Sequence, residues 1–580
     1  MKHHSVQDKE WIIKTFDKNS VELVSKEYNL DFLTSKLLAI RNVNSENINS
    51  FLDPKIKNFL PNPFRFKDMD KGLDVFTNHL KKKSKICIFG DYDVDGATSS
   101  GIMSKYLDQL SIDHFVFIPD RQTDGYGPSV QTFENIINKD INLIVALDCG
   151  TTSFEAIDFA KSKNVDVIVI DHHKSQEILP SANAVINPNR IDENGEYYYL
   201  CAAGVLFVFL VGLNKYLREN NFFSETGFAE PNLLDLLDLV MMGTVCDVVP
   251  LIDLNRAFVF QGLKVASQRN NLGLKTLVDY SKIRKKLSTY EVGYVLGPKI
   301  NAGGRIGKSE LGYNLLTTKS AETAYLIASE LESLNLKRKD IERKIVDEAI
   351  ELAEKHNNEP IVFLNKNDWH EGLIGIVASR LKDHFNKPCF IISQKGTDCK
   401  GSARSVVGFD IGLAITKCKQ LDIIIKGGGH PMAGGFSLKE NKLISFREEL
   451  VKSFLKSKES KENNVIEIDS YLECTAINND LIEKLNYLEP YGSGNREPIF
   501  GFEDFKVSKV IETNNNHVKV VLKKGNFYID GISFNSKNKD IGNYLMNYKK
   551  PFNVAGKIKL NEWNGRSKIE LIIDDIQLIN

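Results

Sequence analysis

Three apolar runs of this chain end in acidic or histidine residues, and this arrangement limits the folds that the chain can adopt. Residues 85–89 lead into Asp91-Tyr92-Asp93-Val94-Asp95-Gly96, residues 141–147 lead into Asp148-Cys149-Gly150, and residues 165–170 lead into Asp171-His172-His173. Each run has the length and the β-branched content of a buried strand. The stretches between them, such as residues 153–162, are typical of helices. Alternation of strand and helix predicts a parallel sheet.

The polar residues at the strand ends predict a metal site. In parallel sheets ligands bind at the carboxyl ends of the strands, so these side chains should converge on one crevice. Carboxylates packed closely repel one another unless cations lie between them. A single Asp-x-Asp is usually a solvated turn, and an EF-hand loop would need a glutamate where Ile102 stands. A mixed set of aspartate and histidine suits Mn²⁺ or Mg²⁺ better than a structural zinc.

The bulk composition sets the outer limits of the interpretation. A chain of 580 residues is too long for one core, so three or four domains are expected. The formal net charge of −1 means that any polyanion must be held by a local basic patch. Eight cysteines without a C-x-x-C pair indicate reduced thiols in the cytoplasm. We expect no membrane span and no signal peptide.

The chain divides by pattern into five segments. A helical lead-in (1–75) is followed by the strand-helix domain (76–318), a connecting helix (319–357), a second α/β domain (358–456) and a carboxyl-terminal domain (465–580). Residues 321–356 predict one helix about 50 Å long at 1.5 Å per residue; two helices with a bend near Asn335 are the alternative. Residues 456–464 are polar and charged, which predicts a linker.

The carboxyl-terminal segment predicts a small β-barrel. Five short strands are expected at residues 506–512, 517–523, 527–534, 553–560 and 567–574, with hairpin signals at residues 524–526 and 564–565. An OB-fold is one candidate. Residues 501–570 hold thirteen Lys and Arg against seven Asp and Glu, interleaved with aromatic residues. This composition suits single-stranded nucleic acid and equally an ordinary solvated β-domain.

The second α/β domain carries groups that suit an anion. The glycine triplet of residues 426–430 leaves backbone N–H groups open, and Arg404, Lys426 and His430 add donors; a flexible turn is the alternative. Arg305 and Arg121 offer two further cations. A metal cluster facing a phosphate site is the layout for phosphoester hydrolysis.

With these residues assembled, the chain resembles the DHH phosphoesterase superfamily and, more closely, its RecJ family of single-stranded-DNA-specific exonucleases. The resemblance covers nearly the whole chain. It rests on residues 90–96, 148–150, 171–173, 246–251, 369–372, 401–405, 427–430 and 487–495. It implies a DHH parallel-sheet domain and a DHH-associated α/β domain joined by a long helix, plus an OB-fold domain.

The resemblance also implies a function: processive 5′-to-3′ hydrolysis of single-stranded DNA to mononucleotides, in recombination and repair, by a monomer. Family partners would be a single-strand-binding protein and a RecQ-type helicase. By position in the motifs, the ligands of two Mn²⁺ or Mg²⁺ ions would be Asp93, Asp95, Asp148, His172 and Asp247. Asp91 and His173 would support catalysis. The phosphate would be held by Arg121, Arg305, Ser402, Arg404 and His430.

The chain departs from the family pattern at two positions. Phe89 stands where family phosphatases place a histidine, so one metal position should be weaker or more hydrated. Ala403 stands where a glycine is expected and should tighten a turn. Two rival functions remain: hydrolysis of very short oligonucleotides or nucleotides, and non-catalytic DNA binding like that of the RecJ-fold subunit of the eukaryotic replicative helicase. The carboxyl-terminal domain argues against the first rival, and the intact Asp and His set argues against the second.

Overall fold

The structure is a computed structural model. It describes residues 5–121, 123–125, 127–356, 358–457, 465–511, 516–563 and 566–579. The chain forms two compact units, one of Met1–Leu60, Pro250–Gln261 and Asn463–Asn580, and one of Pro61–Val249 and Gly262–Glu462. Residues 458–464 of the predicted linker and the predicted turn at 564–565 lie outside the described residues.

The secondary structure consists of strands and helices numbered in chain order. The strands are β1 Glu10–Ile13, β2 Ile86–Gly90, β3 His114–Phe117, β4 Leu143–Leu147, β5 Asp166–Ile170, β6 Ala184–Ile186, β7 Val362–Asn367, β8 Cys389–Lys395, β9 Asp398–Arg404, β10 Lys426–His430, β11 Ala433–Lys439, β12 Val465–Ile468, β13 Ser470–Tyr471, β14 Phe500–Ile511, β15 Val518–Lys524, β16 Phe527–Ser533, β17 Phe552–Trp563 and β18 Arg566–Leu578. The helices are α1 Lys18–Tyr28, α2 Phe32–Ala39, α3 Ile48–Leu52, α4 Ile56–Phe59, α5 Met69–Lys82, α6 Val94–Gln109, α7 Val130–Ile137, α8 Phe154–Ser162, α9 Ala202–Glu219, α10 Phe222–Thr226, α11 Leu237–Cys246, α12 Asp253–Ser267, α13 Leu272–Tyr280, α14 Gly297–Ile306, α15 Leu311–Thr317, α16 Ala321–Glu354, α17 Ile374–Phe385, α18 Ile411–Gln420, α19 Leu443–Ser457, α20 Asn479–Asn486 and α21 Asp540–Asn547. A π-helical turn, Glu291–Leu296, precedes α14.

The amino-terminal part of the larger unit is built on a parallel sheet. Its strand order is β3-β2-β4-β5-β6, and every pair is parallel. The strands β2 and β4 are buried at every position, as expected for a sheet covered by helices on both faces. The chain reverses its winding direction between β2 and β4, which is where doubly wound sheets bind their ligands. The predicted parallel sheet is confirmed.

The second α/β part of the larger unit has a mixed sheet of order β10-β11-β9-β8-β7. Helix α16 links the two sheets as one continuous helix of 34 residues, so the single-helix prediction is confirmed and the two-helix alternative is wrong. Within this helix the buried Arg338 donates to Glu342 at 2.6 Å, and this pairing offsets part of the cost of burying both charges.

The smaller unit contains the predicted barrel. Strands β14, β15, β16, β18 and β17 are paired in that order, and β14 also pairs with β17, which closes the barrel. A two-residue turn at Gly525 joins β15 to β16, as the hairpin signal predicted. Residues of the amino-terminal helices, such as Val24 and Leu37, share the barrel core with Phe500 and Phe505. None of the described helices is both long and apolar enough to span a bilayer.

Candidate metal centre

The first acidic motif lies in the tight turn between β2 and α6. Asp93 is the N-cap of α6 and accepts a hydrogen bond from the Gly96 N–H at 3.0 Å. A Cβ on Gly96 would lie 2.3 Å from the carbonyl oxygen of Asp91, so only glycine fits this turn. Asp91 is buried, and its Oδ1 has no hydrogen-bond partner among the described residues. This oxygen is therefore available to a cation.

Asp95, a predicted ligand, has a structural role as well. Its Oδ2 accepts the Ala202 N–H at 2.7 Å and its Oδ1 accepts the Ala203 N–H at 3.0 Å. These are first-turn amides of α9, which a carboxylate stabilises. Asp95 Oδ2 also lies 3.9 Å from Nε2 of His172. The Asp95 carboxylate thus fixes the start of α9 and also contributes an oxygen to the metal cluster.

Asp148 and His172 come from the next two strand ends and meet. Asp148 follows β4 with φ of 62°, a left-handed conformation that few non-glycine residues adopt and that is common at functional sites. Nε2 of His172 lies 3.2 Å from Oδ1 of Asp148, which is buried and accepts no hydrogen bond from the described residues. Asp247, the C-cap residue of α11, places its Oδ2 3.6 Å from the same histidine nitrogen.

Asp171 holds the histidine turn together. Its Oδ1 accepts hydrogen bonds from the backbone of His172 at 2.7 Å, the backbone of His173 at 3.2 Å and Nδ1 of His173 at 2.7 Å. Its Oδ2 accepts the Thr151 N–H at 3.1 Å. With these four contacts, Asp171 orients the neighbouring side chains rather than facing a ligand itself.

Two asparagines that the sequence analysis did not single out support this turn. Asn187 donates to the carbonyl oxygen of His173 at 2.8 Å and to Thr151 Oγ1 at 2.9 Å. Asn189 donates to the carbonyl oxygen of His172. Both asparagines follow β6, so polar residues at a fourth strand end were the available signal. A strand of only three residues is too short to give a recognisable apolar pattern, so its polar end does not stand out in the sequence.

The aspartates of the cluster are buried close together, so it is unfavourable for all of them to be ionised at once. Burial and the neighbouring aspartates raise the pKa of Asp91, Asp148 and Asp247 well above its usual range, and that of Asp95 to about 7. Burial lowers the pKa of His172 to about 4, which leaves the ring neutral as a metal ligand must be. Bound cations would offset the cost of burying these charges and the repulsion between them, which together produce the raised pKa values.

The charge on His173 follows from its partner. Burial alone would lower the pKa of His173, but the charge and the hydrogen bond of Asp171 outweigh burial and raise it to about 9. The same pair holds the pKa of Asp171 well below its ordinary value despite burial. His173 is therefore cationic at neutral pH in this arrangement, next to a neutral His172 whose ring lies 4.6 Å away.

Three groups of ligand atoms lie close enough to hold a cation, each within 4.8 Å of one another. They are Asp91, Asp93 and Asp148; Asp95, His172 and Asp247; and Asp148, His172 and His173. Asp148 belongs to two of these groups. The buried acceptors without partners, the neutral histidine and the oxygen-rich donor set all fit hard divalent ions.

Two arginines lie close enough to the cluster to interact with its charges: Arg121 acts on Asp91, and Arg305 acts on Asp93. Among the described residues, Arg121, Arg305 and Arg404 form no ion pair; Arg305 donates to the Gly372 carbonyl at 3.1 Å, and Arg121 lies over the ring of Tyr92 at 5.1 Å. Burial and the charge of Arg121 lower the pKa of Arg305 to about 10. Half-buried cations that lack an acid are the groups that an anionic ligand would satisfy.

Two predicted phosphate-binding residues, Ser402 and Arg404, lie on one face of β9 in the second α/β part. Their side chains contact each other at 3.4 Å and lie against Gly375, where a Cβ would approach Ser402 Oγ to 3.1 Å. Ala403 points the other way, into the apolar core. The expectation that Ala403 tightens a turn is therefore wrong, because this residue lies within a strand.

The glycine triplet is a strand rather than a loop. Residues 426–430 form β10, an edge strand paired on one side with β11, so alternate N–H groups still point away from the sheet. A Cβ on Gly429 would lie 2.3 Å from the Ala433 carbonyl oxygen, whereas the space around Gly428 is open. The charge of His430 influences the pKa of His172, so the end of this strand lies near the metal cluster.

Phe89 does not face the cluster. It is fully buried between Phe117 and Phe133, with ring centroids 5.5 and 5.7 Å away. A weaker metal position caused by Phe89 stays a prediction. The packing shows that this residue belongs to the core on one face of the sheet.

Family models match three parts of the chain: the DHH family amino-terminal domain over residues 85–244, the DHHA1 domain over 358–457 and the RecJ OB domain over 468–575. A single-stranded-DNA-specific exonuclease RecJ of Salmonella typhimurium is 33% identical over 560 residues, which cover 94% of this chain and 95% of that protein. The chain belongs to the RecJ family. The RecJ of Escherichia coli is 32% identical with the same coverage. Among solved structures, RecJ from Thermus thermophilus in complex with Mn²⁺ shares the fold with a TM-score of 0.82 at 24% identity, over 99% of this chain and 80% of that one.

Proposed function

We propose that the chain is a divalent-metal-dependent exonuclease specific for single-stranded DNA. The observation that carries this proposal is the convergence of Asp91, Asp93, Asp148, His172 and Asp247 at the switch point of the sheet, beside arginines that lack acidic partners among the described residues. The similarity to RecJ proteins over nearly their whole length supports the substrate class.

Two cation positions are proposed, and Mn²⁺ or Mg²⁺ would fill them. Asp91 and Asp93 would hold one ion, His172 and Asp247 would hold the other, and Asp148 would bridge both. We include Asp91 as a ligand because its buried Oδ1 has no hydrogen-bond partner among the described residues. Asp95 would join His172 and Asp247 at the second ion and would also fix α9, because each of its oxygens accepts one amide of that helix and keeps a further acceptor site.

The residues around the cluster would divide the work on a phosphodiester. Bound divalent ions would supply an activated water and offset the charge that develops on phosphorus. Arg121, Arg305, Arg404, Ser402 and His430 would orient the phosphate, which is worth much of the rate acceleration in such reactions. The cationic His173, fixed by Asp171, would stabilise additional negative charge near the reacting group.

The proposal also covers the direction of cleavage, the products and the biological role. We propose cleavage from the 5′ end with release of 5′-mononucleotides, in DNA recombination and repair in the cytoplasm. We also predict from the family that the protein is a monomer. Its predicted partners are a single-strand-binding protein and a RecQ-type helicase.

The test is hydrolysis of single strands labelled at either end, in Mn²⁺, by wild type and by the Asp148→Ala variant. The variant should lose activity by at least about a thousandfold and still bind the strand, because its arginines are intact. The exposed Asp113 offers a matched control, Asp113→Ala, which should cleave like wild type. Full activity of Asp148→Ala would reject the proposal. Hydrolysis of dinucleotides alone would favour the rival function on very short substrates.

A further inference from the structure

Two exposed tyrosines lie side by side at the π-helical turn before α14. Tyr290 is 53% exposed and Tyr294 is 75% exposed, and their ring centroids lie 5.2 Å apart with an interplanar angle of 32°. A π-helical turn is rare and is frequently found at functional sites. Neither ring belongs to the site described above, and exposed aromatic rings of this size suggest a ligand surface.

A basic segment is fixed against the same turn. Lys282, Arg284, Lys285 and Lys286 are all exposed, and only Lys285 is ion-paired within the described chain. Its partner is the buried Glu291, the first residue of the turn, at 2.8 Å. Glu291 also accepts from the backbone N–H of Ser288 at 3.1 Å and from its hydroxyl at 2.5 Å. Glu291 therefore holds the basic segment next to the tyrosines and leaves the other three cations for a ligand.

The turn packs against the helix end that carries a candidate metal ligand. The thiol of Cys246 contacts the carbonyl oxygen of Val292 at 3.7 Å, and a Cβ on Gly297 would lie 2.6 Å from the same sulfur. Gly293 lies against Val245. Asp247 is the residue that follows Cys246, so the turn that carries the two tyrosines contacts the residue next to a candidate metal ligand.

We propose that Tyr290 and Tyr294, with Lys282, Arg284 and Lys286, form a surface on which the bases of a DNA single strand stack beside the metal centre. Stacking on aromatic rings tolerates any base, and each stacked base contributes about 1–3 kcal/mol. The cations would pair with the phosphates that connect these bases. In a duplex the base faces are already stacked, so this surface favours single strands. The inference rests on the proposed function and adds a specificity-determining surface to it.

The test measures equilibrium binding of a labelled thymidine oligonucleotide of about 20 nucleotides to the full chain in EDTA, where no cleavage occurs. The double variant Tyr290→Ala, Tyr294→Ala should raise Kd by about 10- to 100-fold. The double variant to Phe keeps the rings and should stay within about threefold of wild type. Tyr487→Ala removes a ring of similar exposure (50%) from the smaller unit and should bind like wild type.

A charge test runs in parallel. The variant Lys282→Glu, Arg284→Glu should raise Kd about as strongly and flatten its dependence on salt, because fewer counterions are released. Reversing the exposed Lys337 and Lys339 on α16 gives the matched control with the same change in net charge.

Three results would overturn the inference. The alanine pair could bind like the Tyr487→Ala control, or the phenylalanine pair could lose as much affinity as the alanine pair. In the third, the alanine pair lowers kcat on a dinucleotide while Kd is unchanged. The last result would mean that the turn only supports Asp247. The two proposals fail separately. A wild-type chain that does not cleave single strands rejects the function, whereas cleavage that is insensitive to the tyrosines rejects only the stacking surface.

Discussion

Nδ1 of His173 lies 2.7 Å from Oδ1 of Asp171, and that same oxygen accepts the backbone N–H groups of His172 and His173. One carboxylate therefore fixes both the imidazole and the turn that presents the neighbouring ligand. Outer carboxylates of this kind set the charge and the orientation of the groups they hold.

We predict that Asp171→Asn lowers activity and Mn²⁺ affinity by about 10- to 100-fold. The amide is isosteric but uncharged, so His173 loses the charge that keeps its ring protonated. The measurement is kcat together with the Mn²⁺ concentration that gives half-maximal activity. Asp113→Asn is the control for loss of one acidic charge. Unchanged values in Asp171→Asn would mean that the turn holds its shape without this charge.

Much of the site followed from the sequence because strand ends are encoded locally. Apolar runs that stop at Asp91, Asp148 and Asp171 gave the sheet, and sheet topology then placed these residues at one edge. Pattern alone could not show that Asp95 also accepts hydrogen bonds from α9. These bonds depend on the amides of Ala202 and Ala203, which follow in the chain by more than a hundred residues.

The sequence also did not predict that the amino-terminal helices and the carboxyl-terminal barrel share one core in the smaller unit. The helices near Val24 and Leu37 pack in the same core as Phe500, although hundreds of residues separate them. Local periodicity indicates that a face is apolar but not what covers it. Deleting residues 465–580 would therefore expose part of the amino-terminal core, and the role of the barrel is better tested with surface substitutions.

Asp91 and Asp95 should respond oppositely to replacement by asparagine. Asp91→Asn should remove most of the metal-dependent activity, about a hundredfold or more, without loss of stability, because it removes a buried carboxyl whose pKa is raised. Asp95→Asn should cost about 1–3 kcal/mol in the free energy of unfolding, since its NH₂ group faces amides of α9 that need an acceptor. Urea unfolding in EDTA, beside activity in Mn²⁺, measures both. Equal stability losses would contradict these separate roles.

The metal-free protein should become less stable as the pH rises from about 6.5 to about 8.5. The pKa of Asp95 is raised to about 7 and that of His173 to about 9, so the folded state holds protons that the unfolded chain has lost in this range. Stability contributed by both groups is therefore lost with increasing pH. His172, with its lowered pKa, contributes only below this window.

Unfolding in urea with EDTA, at several pH values, measures that slope. Addition of Mn²⁺ should raise stability most at the highest pH values, because the deprotonated cluster binds cations and binding to the native state stabilises it. A metal-free stability that is flat or rises across this range would show that Asp95 and His173 do not keep these protons in the folded state.

Two neighbouring glycines of β10 provide a matched pair. Gly429→Ala should destabilise the protein by about 1–3 kcal/mol, because the new methyl group would overlap the Ala433 carbonyl at 2.3 Å. Gly428→Ala meets open space and should fold like wild type. If the outward face of β10 receives the phosphate, Gly428→Ala should still raise KM. Thermal unfolding and steady-state kinetics of both variants separate packing from binding, and normal KM in Gly428→Ala would remove β10 from the phosphate site.

Exposed aromatic residues of the barrel should matter for long strands only. Tyr528 and Phe534 are each 53% exposed, and the ammonium group of Lys523 lies 5.1 Å from the centre of the Tyr528 ring. Replacing both rings by alanine should weaken binding of a strand of about 40 nucleotides by about tenfold and leave a strand of about six nucleotides unaffected. Tyr487→Ala, at 50% exposure in the same unit, is the control. Equal losses on both lengths would assign these rings to stability, because a barrel that only extends the binding surface cannot influence a strand too short to reach it.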